Sequence, residues 1–367
     1  MSRERPTSAG PIVLSPTPAA LHVRVEGSPV YDFLAALFAV SRHGRGLQFD
    51  VGDGWVQAAR RALGRTLLQH LADFAAGRAL FVSLVSLLER QARDRGVVGF
   101  IRQVEDLPAD ELVLVLLTST RAARPAREAL RAVLAERGRA RAAALRRFAQ
   151  VFPEELGRVG AVRLARRDPQ VLREQLVQLL TAFYERVYAA HEAEARRRVE
   201  RDVVTQRRLA ERLPPEAFVE EATGGLVPDP TVVAEVVVAP SWFVRPYTLV
   251  ADHVGVRTYV VPTKEEAHRG EEEAVLRVAR ALSDETRLRI LRMLAAREMY
   301  AQQVAQALGT SHVTALHHLA ALRAARLVRV VERGPLRYYV LRREALEEAA
   351  AALARFPEPS SARPEGV

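Results

Sequence analysis

The sequence predicts a mainly α-helical protein of two unequal parts. Apolar residues recur at helical spacing through most of the chain up to residue 213, and a segment rich in Val and aromatic residues, bounded by Pro and Gly, follows at 230–262. After a charged, turn-prone stretch the helical pattern returns, and two short β-rich runs follow it. We therefore expect a helical N-terminal domain that ends in a small β-unit, followed by a C-terminal domain of helices and one hairpin.

The N-terminal region begins with a tail, a strand and a helix. Residues 1–18 combine Ser and Thr with four prolines and predict a disordered tail. Leu21 to Val25 alternates apolar and polar residues like a strand, and Ser28 followed by Pro29 is a favourable start for a helix through Val40. Gly or Pro then interrupts the apolar periodicity repeatedly, which predicts helices at 55–75, 78–92, 97–105, 109–118, 124–136, 139–151 and 169–212.

The β-unit and the domain boundary follow from a change in composition. Three Val- and aromatic-rich runs predict strands at 232–238, 242–250 and 256–261. Trp242 and Phe243 are expected to be core residues. The charged segment 262–270 is the best boundary. We predict an N-terminal regulatory or dimerisation region at 19–265, a C-terminal domain at 268–354 and a second disordered tail at 357–367.

The C-terminal domain has the pattern of helix, short turn and helix. Asp284 and Ser311 can each cap a helix, and Gly309 between them can adopt the left-handed conformation that closes a helix C-terminus. The helix after Ser311 has a buried face made of residues at helical spacing: Ala315, Leu319 and Leu322. This order predicts a helix-turn-helix.

Two β-rich runs, 327–332 and 336–341, are joined by an Arg-Gly-Pro turn and predict a hairpin, the wing of a winged helix-turn-helix. Arg329, Arg333 and Arg337 lie on or beside it. Guanidinium groups there can bind phosphate or enter the minor groove, although a solvated hairpin tip has the same composition. Because a helix-turn-helix precedes the hairpin, we expect these arginines to contact DNA.

The C-terminal segment contains three motifs in order: ALSDETRLRIL at 281–291, SHVTALHHL at 311–319 and YYVL at 338–341. They match the first signature, the recognition-helix signature and the end of the wing of the ArsR-type winged-helix transcriptional regulators, which this segment therefore resembles. The resemblance covers less than a quarter of the chain, and it implies a cytoplasmic repressor that binds DNA as a homodimer through pairing of its first and last helices. Leu316 departs from it, standing where the family has a groove-facing Ser, as does Tyr300, standing where a Ser or Thr cap is usual. The segment 240–246 (PSWFVRP) resembles the N-terminal part of a poorly characterised subset of these regulators.

The helix at 311–322 is expected to enter the major groove of double-stranded DNA, with its N-terminal residues nearest the bases. Val313, Thr314 and His317 point away from its buried face. His317 can donate to guanine or phosphate, and Val313 could touch a thymine methyl group. Leu316 lies to one side, where it could touch a thymine methyl group or be buried. The full set of expected DNA contacts on this helix is Ser311, His312, Val313, Thr314, Leu316 and His317.

Composition bounds the chemistry. The chain has 54 basic and 44 acidic residues, and residues 268–345 alone contain 14 Arg against 8 acidic residues, a basic excess suited to phosphate, although Arg usage on this scale can also reflect genome base composition. There is no cysteine, which excludes disulfides and thiolate metal sites and fits a reducing cytosol. No apolar run approaches the roughly 20 residues that span a bilayer, so we expect a soluble protein with no membrane partner.

The motifs of common enzymes are incomplete. Lys264 follows Pro-Thr rather than a Gly-rich turn, which excludes an ordinary P-loop, and His191-Glu192 lacks the second ligand of a zinc-protease helix. His317 and His318 are adjacent and project about 100° apart on a helix, so they cannot chelate one ion together. We predict neither an enzyme nor a cofactor, and no metal site of the kind used by metal-sensing members of the family.

These observations favour a homodimeric DNA-binding regulator whose N-terminal region binds an unknown small-molecule effector or makes the dimer. Candidate dimer surfaces are the helix with Val275, Val278 and Leu282, and the helix at 343–353. Two alternatives stay open: the N-terminal region is an enzyme-like module, or it is a protein-interaction module tethered to a DNA-binding domain.

Overall fold

A computed structural model describes residues 21–43, 49–76, 80–89, 96–245, 247–253, 255–264, 270–334 and 336–355. The N-terminal helices are α1 (Pro29–Ser41), α2 (Gly52–Ala75), α3 (Leu80–Glu89), α4 (Val97–Asp106), α5 (Ala109–Thr118), α6 (Arg127–Ala135), α7 (Gly138–Val151), α8 (Arg158–Arg166), α9 (Pro169–Phe183), α10 (Ala189–Arg212) and α11 (Pro215–Thr223). The strands of this region are β1 (His22–Val25), β2 (Leu226–Val227), β3 (Glu235–Ser241), β4 (Leu249–His253) and β5 (Val256–Pro262). The C-terminal elements are α12 (Gly270–Leu282), α13 (Glu285–Ala296), β6 (Met299–Tyr300), α14 (Ala301–Leu308), α15 (His312–Ala324), β7 (Val328–Arg333), β8 (Leu336–Leu341) and α16 (Arg343–Arg355). The two predicted tails, 1–18 and 357–367, lie outside the described residues.

The helices of the N-terminal region pack around α1, whose side chains are buried on almost every side. The predicted start of α1 is confirmed, because Ser28 Oγ accepts a hydrogen bond from Val30 N at 3.3 Å. The segment predicted as one helix at 169–212 is α9 and α10 joined by a π-helical turn at Tyr184–Tyr188. Apolar periodicity missed α8 and α11, which are nine residues each.

A mixed sheet with the strand order β1-β3-β5-β4 covers one side of these helices. β1, β3 and β5 are parallel, and β4 is antiparallel to β5. The strand predicted at 242–250 is wrong over its first part, since β4 begins only at Leu249. The backbone N–H groups of Trp242 and Phe243 donate to the buried carboxylate of Asp32, at 2.7 and 3.4 Å, rather than to a neighbouring strand.

The predicted caps of the C-terminal domain are confirmed. Asp284 Oδ1 accepts from Arg287 N at 2.9 Å, Ser311 Oγ accepts from Thr314 N at 3.1 Å, and Gly309 closes α14 with φ of 68°. At Tyr300 the missing Ser or Thr cap is replaced by the Gln303 side chain, which accepts from Tyr300 N at 3.1 Å.

The wing, β7 and β8, belongs to a larger sheet than the sequence predicts. This sheet has the order β2-β7-β8-β6, and β2, which comes from the end of the N-terminal region, pairs in parallel with β7. Gly225 enables the close approach: its φ is 107°, its carbonyl accepts from Val330 N, and an added Cβ would lie 3.2 Å from the backbone of Arg329. The wing is therefore hydrogen-bonded to the N-terminal region.

Among the described residues, none of the helices is by itself both long and apolar enough to cross a membrane. The bent pair α2 and α3 passes that test on combined length and composition alone.

Candidate nucleic-acid interface

Helix α15 exposes most of the side chains predicted to contact DNA. Thr314 and His317 are exposed on its outward face, and Ser311 and His312 are exposed at its N-terminal end. Val313 was also predicted to contact DNA, but its side chain is not among those that the structure describes. This face ends in a capped, exposed first turn, which is the part of a recognition helix that meets base edges.

The buried face of α15 fixes its direction. Ala315, Leu319 and Leu322 are fully buried against α13, α14 and β7. His318 points toward the start of α13, with Nδ1 3.7 Å from Asp284 Oδ1, whereas the neighbouring His317 is exposed. The two histidines therefore serve different surfaces. The described residues contain no group of three or more side chains that could hold a metal ion.

Each of the three predicted wing arginines has a carboxylate partner within the chain. Arg333 pairs with Glu298, with one Nη2–Oε2 distance of 2.9 Å, and Arg337 Nε lies 3.0 Å from an oxygen of Glu332. Their side chains are still 56% and 57% exposed, so both can exchange a carboxylate for a phosphate. Arg329 points instead toward α11.

A row of carboxylates on and after α11 faces basic groups of the C-terminal domain. Glu220 lies 3.5 Å from Arg329 Nη1, and Glu221 lies 2.9 Å from Arg326 Nη1. Asp229 accepts from the backbone N–H of Gly334 at the wing tip at 2.7 Å. These interactions add electrostatic attraction between α11 and the C-terminal domain to the β2–β7 pairing. They could not be predicted from the sequence, because the partners are about one hundred residues apart.

Leu316 occupies a different surface from Thr314 and His317. With Ala320 and Arg323, which follow it at four and seven residues, it faces a cavity of about 280 Å³ between α15, the wing and the N-terminal sheet. From the sheet, Val250 and Tyr259 line this cavity. The helical spacing of Leu316, Ala320 and Arg323 could have indicated a second packed face of α15. The sequence did not indicate that the wing and the N-terminal sheet lie opposite this face.

Two ion pairs beside this cavity share one guanidinium group. Arg257, which is 4% exposed, pairs with both Asp252 and Glu332, so one guanidinium joins the N-terminal sheet to the wing. Burial raises the pKa of Tyr259 to about 12, and the Tyr339 hydroxyl also has a raised pKa because it is buried. Both phenols are therefore neutral donors at physiological pH.

Comparison with known proteins identifies the C-terminal fold. A family model described as a helix-turn-helix domain matches residues 282–331, from the end of α12 into β7. No curated protein matches the chain. One similar solved structure is the solution NMR structure of a homodimeric winged helix-turn-helix DNA-binding domain from Mycobacterium bovis, described as a possible ArsR-family transcriptional regulator. It is 25% identical, with 28% of this chain and 98% of that chain covered and a TM-score of 0.22. The family model shows a helix-turn-helix domain, and the hairpin of β7 and β8 that follows α15 forms its wing. This combination indicates a DNA-binding transcription regulator.

Proposed function

We propose that the protein is an ArsR-like transcriptional repressor that binds double-stranded DNA sequence-specifically through α15 and the wing. The observation that carries this proposal is the exposed pair Thr314 and His317 on a capped helix whose opposite face is fully buried. A helix held in this way presents its first turns to the major groove, where donor and acceptor patterns distinguish all four base pairs.

The wing supplies the sequence-independent part of the affinity. Arg333 and Arg337 hold carboxylates through guanidinium groups that are largely exposed, so solvent weakens these ion pairs. Duplex DNA offers a denser array of negative charge and releases counterions when an arginine binds, so phosphate can displace these partners. Arg329 contributes only if its ion pair with Glu220 opens.

A homodimer on two half-sites completes the proposal, because one recognition helix contacts few base pairs and selection from a genome needs more. In the chain, α12 and α16 pack against each other, and Val275 and Val278 of α12 are buried. Among the described side chains of α12, Leu276 is a large apolar one that stays exposed, at 42%. We propose the outer side of this helix pair, including Leu276, as the dimer contact.

We propose a regulatory and not a catalytic N-terminal region, in a cytoplasmic protein. Its fully buried carboxylate, Asp32, accepts hydrogen bonds from Ser241, Trp242, Phe243 and Tyr188, which gives it a structural role. The docking of α11 and β2 onto the wing provides a route by which this region can act on DNA binding.

Selection of DNA from random sequence, followed by footprinting, tests the proposal. Replacing Thr314 and His317 together with Ala should reduce discrimination by about 1–3 kcal/mol for each specific hydrogen bond to a base that the helix no longer makes, while non-specific binding is kept. His22→Ala, which removes an exposed histidine from β1, is the matched control and should change neither. The groove assignment fails if the double variant protects the same site with unchanged affinity at the same salt concentration.

A further inference from the structure

The cavity between α15, the wing and the N-terminal sheet has the size and lining of a small-molecule site. Its volume, about 280 Å³, lies just below the range of roughly 300–1,000 Å³ typical of sites for drug-sized ligands. Leu316, Val250 and Val330 supply apolar surface, and Thr248, Arg323, Glu332 and Arg337 supply polar groups. A mostly apolar cavity with a few convergent polar groups is the usual form of a ligand site.

Arg323 is a charged group of this cavity that lacks a carboxylate partner among the described residues. Within the part of the chain that the structure describes, no carboxylate forms an ion pair with it, and its Nη1 donates only to the carbonyl oxygen of Thr223, at 3.2 Å. Burial lowers the pKa of Arg323 below its ordinary value, yet a guanidinium stays charged at physiological pH. Four of its five N–H donors are therefore left for another acceptor.

The neighbouring charges leave the cavity with one positive charge in excess. Glu332 accepts from Arg337 and from Arg257, and Arg257 also pairs with Asp252. Arg257 and Asp252 thus offset each other, and the charged side chains that line the cavity, Arg323, Arg337 and Glu332, carry two positive charges and one negative charge. A ligand that carries one negative charge would neutralise the site, whereas a cation would be repelled.

We propose that this cavity binds a small organic monoanion, with Arg323 holding the anionic group and the Leu, Val and Tyr side chains enclosing an apolar body. A carboxylate suits the planar fork of a guanidinium, which can donate two parallel hydrogen bonds to it. The hydroxyl of Tyr259 or Tyr339 can donate to the same group.

The site would also couple the ligand to DNA, a step that rests on the proposed function. A molecule in the cavity touches α15 through Leu316, Ala320 and Arg323, the wing through Tyr339, and the N-terminal sheet through Val250. Its occupancy therefore changes how α15 and the wing sit on the N-terminal region, and it should shift DNA affinity about fivefold or more.

Binding is tested first without DNA, by calorimetric titration of the full chain with octanoate and benzoate and with the neutral partners octanol and benzyl alcohol. At least one carboxylate should bind with Kd below about 1 mM, and its alcohol should bind at least about tenfold more weakly. Arg323→Met should weaken carboxylate binding about tenfold to a hundredfold, while Arg289→Met, an exposed arginine of α13 outside the cavity, should leave it unchanged.

Ala320→Phe provides a second, independent variant, because a phenyl ring there fills the cavity and should abolish binding of both the acid and the alcohol. Circular dichroism checks that both variants fold. The site is refuted if no carboxylate binds the wild-type protein below about 1 mM, or if Arg323→Met binds it as tightly as the wild type.

The coupling is tested by repeating the titration with the selected DNA bound. Linkage requires that the ligand change DNA affinity by the same factor as DNA changes ligand affinity. A carboxylate that binds through Arg323 without altering DNA affinity refutes the coupling and leaves the site standing. A chain that binds the carboxylate but retains no preferred DNA refutes the proposed function alone.

Discussion

Replacing Asp32 with Ala should destabilise the protein more than any single surface change. Asp32 accepts four hydrogen bonds, from Ser241 Oγ (2.6 Å), Trp242 N (2.7 Å), Phe243 N (3.4 Å) and Tyr188 Oη (3.1 Å). The Tyr188 hydroxyl keeps the carbonyl of Pro29 at 3.3 Å as an acceptor, but the three other donors are orphaned. Each orphaned buried donor costs about 1–3 kcal/mol, and because the three act as one unit we expect a total loss of about 3–5 kcal/mol.

The variant Asp32→Asn distinguishes the contribution of the hydrogen bonds to stability from that of the carboxylate charge. The amide oxygen can still accept from Ser241, Trp242 and Phe243, and the amide NH₂ can donate to Tyr188, so this variant should lose only about 1–2 kcal/mol near pH 7. Burial raises the pKa of Asp32, and this outweighs the hydrogen bonds that lower it. The stabilising contribution of the protonated group is therefore present below the ordinary Asp value of about 4 and is lost as pH rises through the raised value. The stability of wild type relative to Asp32→Asn should fall over that interval.

Urea unfolding followed by far-UV circular dichroism, at several pH values, measures both effects. Asp106→Ala, which removes an exposed carboxylate at the end of α4, is the control and should stay within about 0.5 kcal/mol of wild type. The reasoning is refuted if Asp32→Ala costs less than about 1 kcal/mol with an unchanged spectrum. A wild-type protein that gains stability over Asp32→Asn as pH rises would contradict the assigned direction of the pKa.

Three further predictions concern DNA affinity and local packing. Neutralising Arg333 or Arg337 with Gln should weaken specific and non-specific DNA binding alike and lower the salt slope by about 1 per phosphate bound; an altered base preference at an unchanged slope would exclude a phosphate role. Gly160→Ala should cost about 1–3 kcal/mol in urea unfolding, because its Cβ would lie 2.6 Å from the backbone of Ala76, and equal stability would mean that the packing of α8 on the end of α2 is loose. Asp284→Ala should cost about 0.5–2 kcal/mol because the cap of α13 is removed. A hydrogen bond from the backbone N–H of Arg287 lowers the pKa of Asp284. The stability that the Asp284 carboxylate contributes is therefore present above the ordinary Asp pKa and is lost as pH falls through the lowered pKa. A stability difference between wild type and Asp284→Ala that stays constant down to pH 2 would exclude this pKa shift.

The features that sequence predicts well here are those that depend on neighbours along the chain. Ser28, Asp284 and Ser311 cap helices within three residues of themselves, and Gly309 closes α14 through its own φ. Such signals need no knowledge of the rest of the fold. The helix-turn-helix and the hairpin were therefore predictable, element by element, from residue types and spacing.

Apart from the short helices α8 and α11, the features that sequence missed depend on interactions between distant segments. His22 is in register with Glu235, which joins β1 to β3 across more than two hundred residues. The Asp32 carboxylate replaces a strand partner for Trp242 and Phe243, so a run with strand composition turns instead. Arginine content likewise indicates a basic surface, but only the folded chain shows that Glu220 lies against Arg329. Long-range pairing of this kind leaves no periodic signal in the sequence.

The proposed coupling of ligand and DNA binding would act over a very short distance because of the position of α15. Leu316, Ala320 and Arg323 form one stripe of this helix and face the cavity, while Thr314 and His317 lie on a separate, exposed stripe. The remaining face of α15, with Ala315, Leu319 and Leu322, is packed in the core, so the helix moves as a rigid unit. A displacement of the residues that face the cavity therefore also moves Thr314 and His317. The wing is connected to the N-terminal region as well, because β7 is hydrogen-bonded to β2. No extended chain of residues is needed to carry the coupling, because the element that lines the cavity is the element proposed to enter the groove.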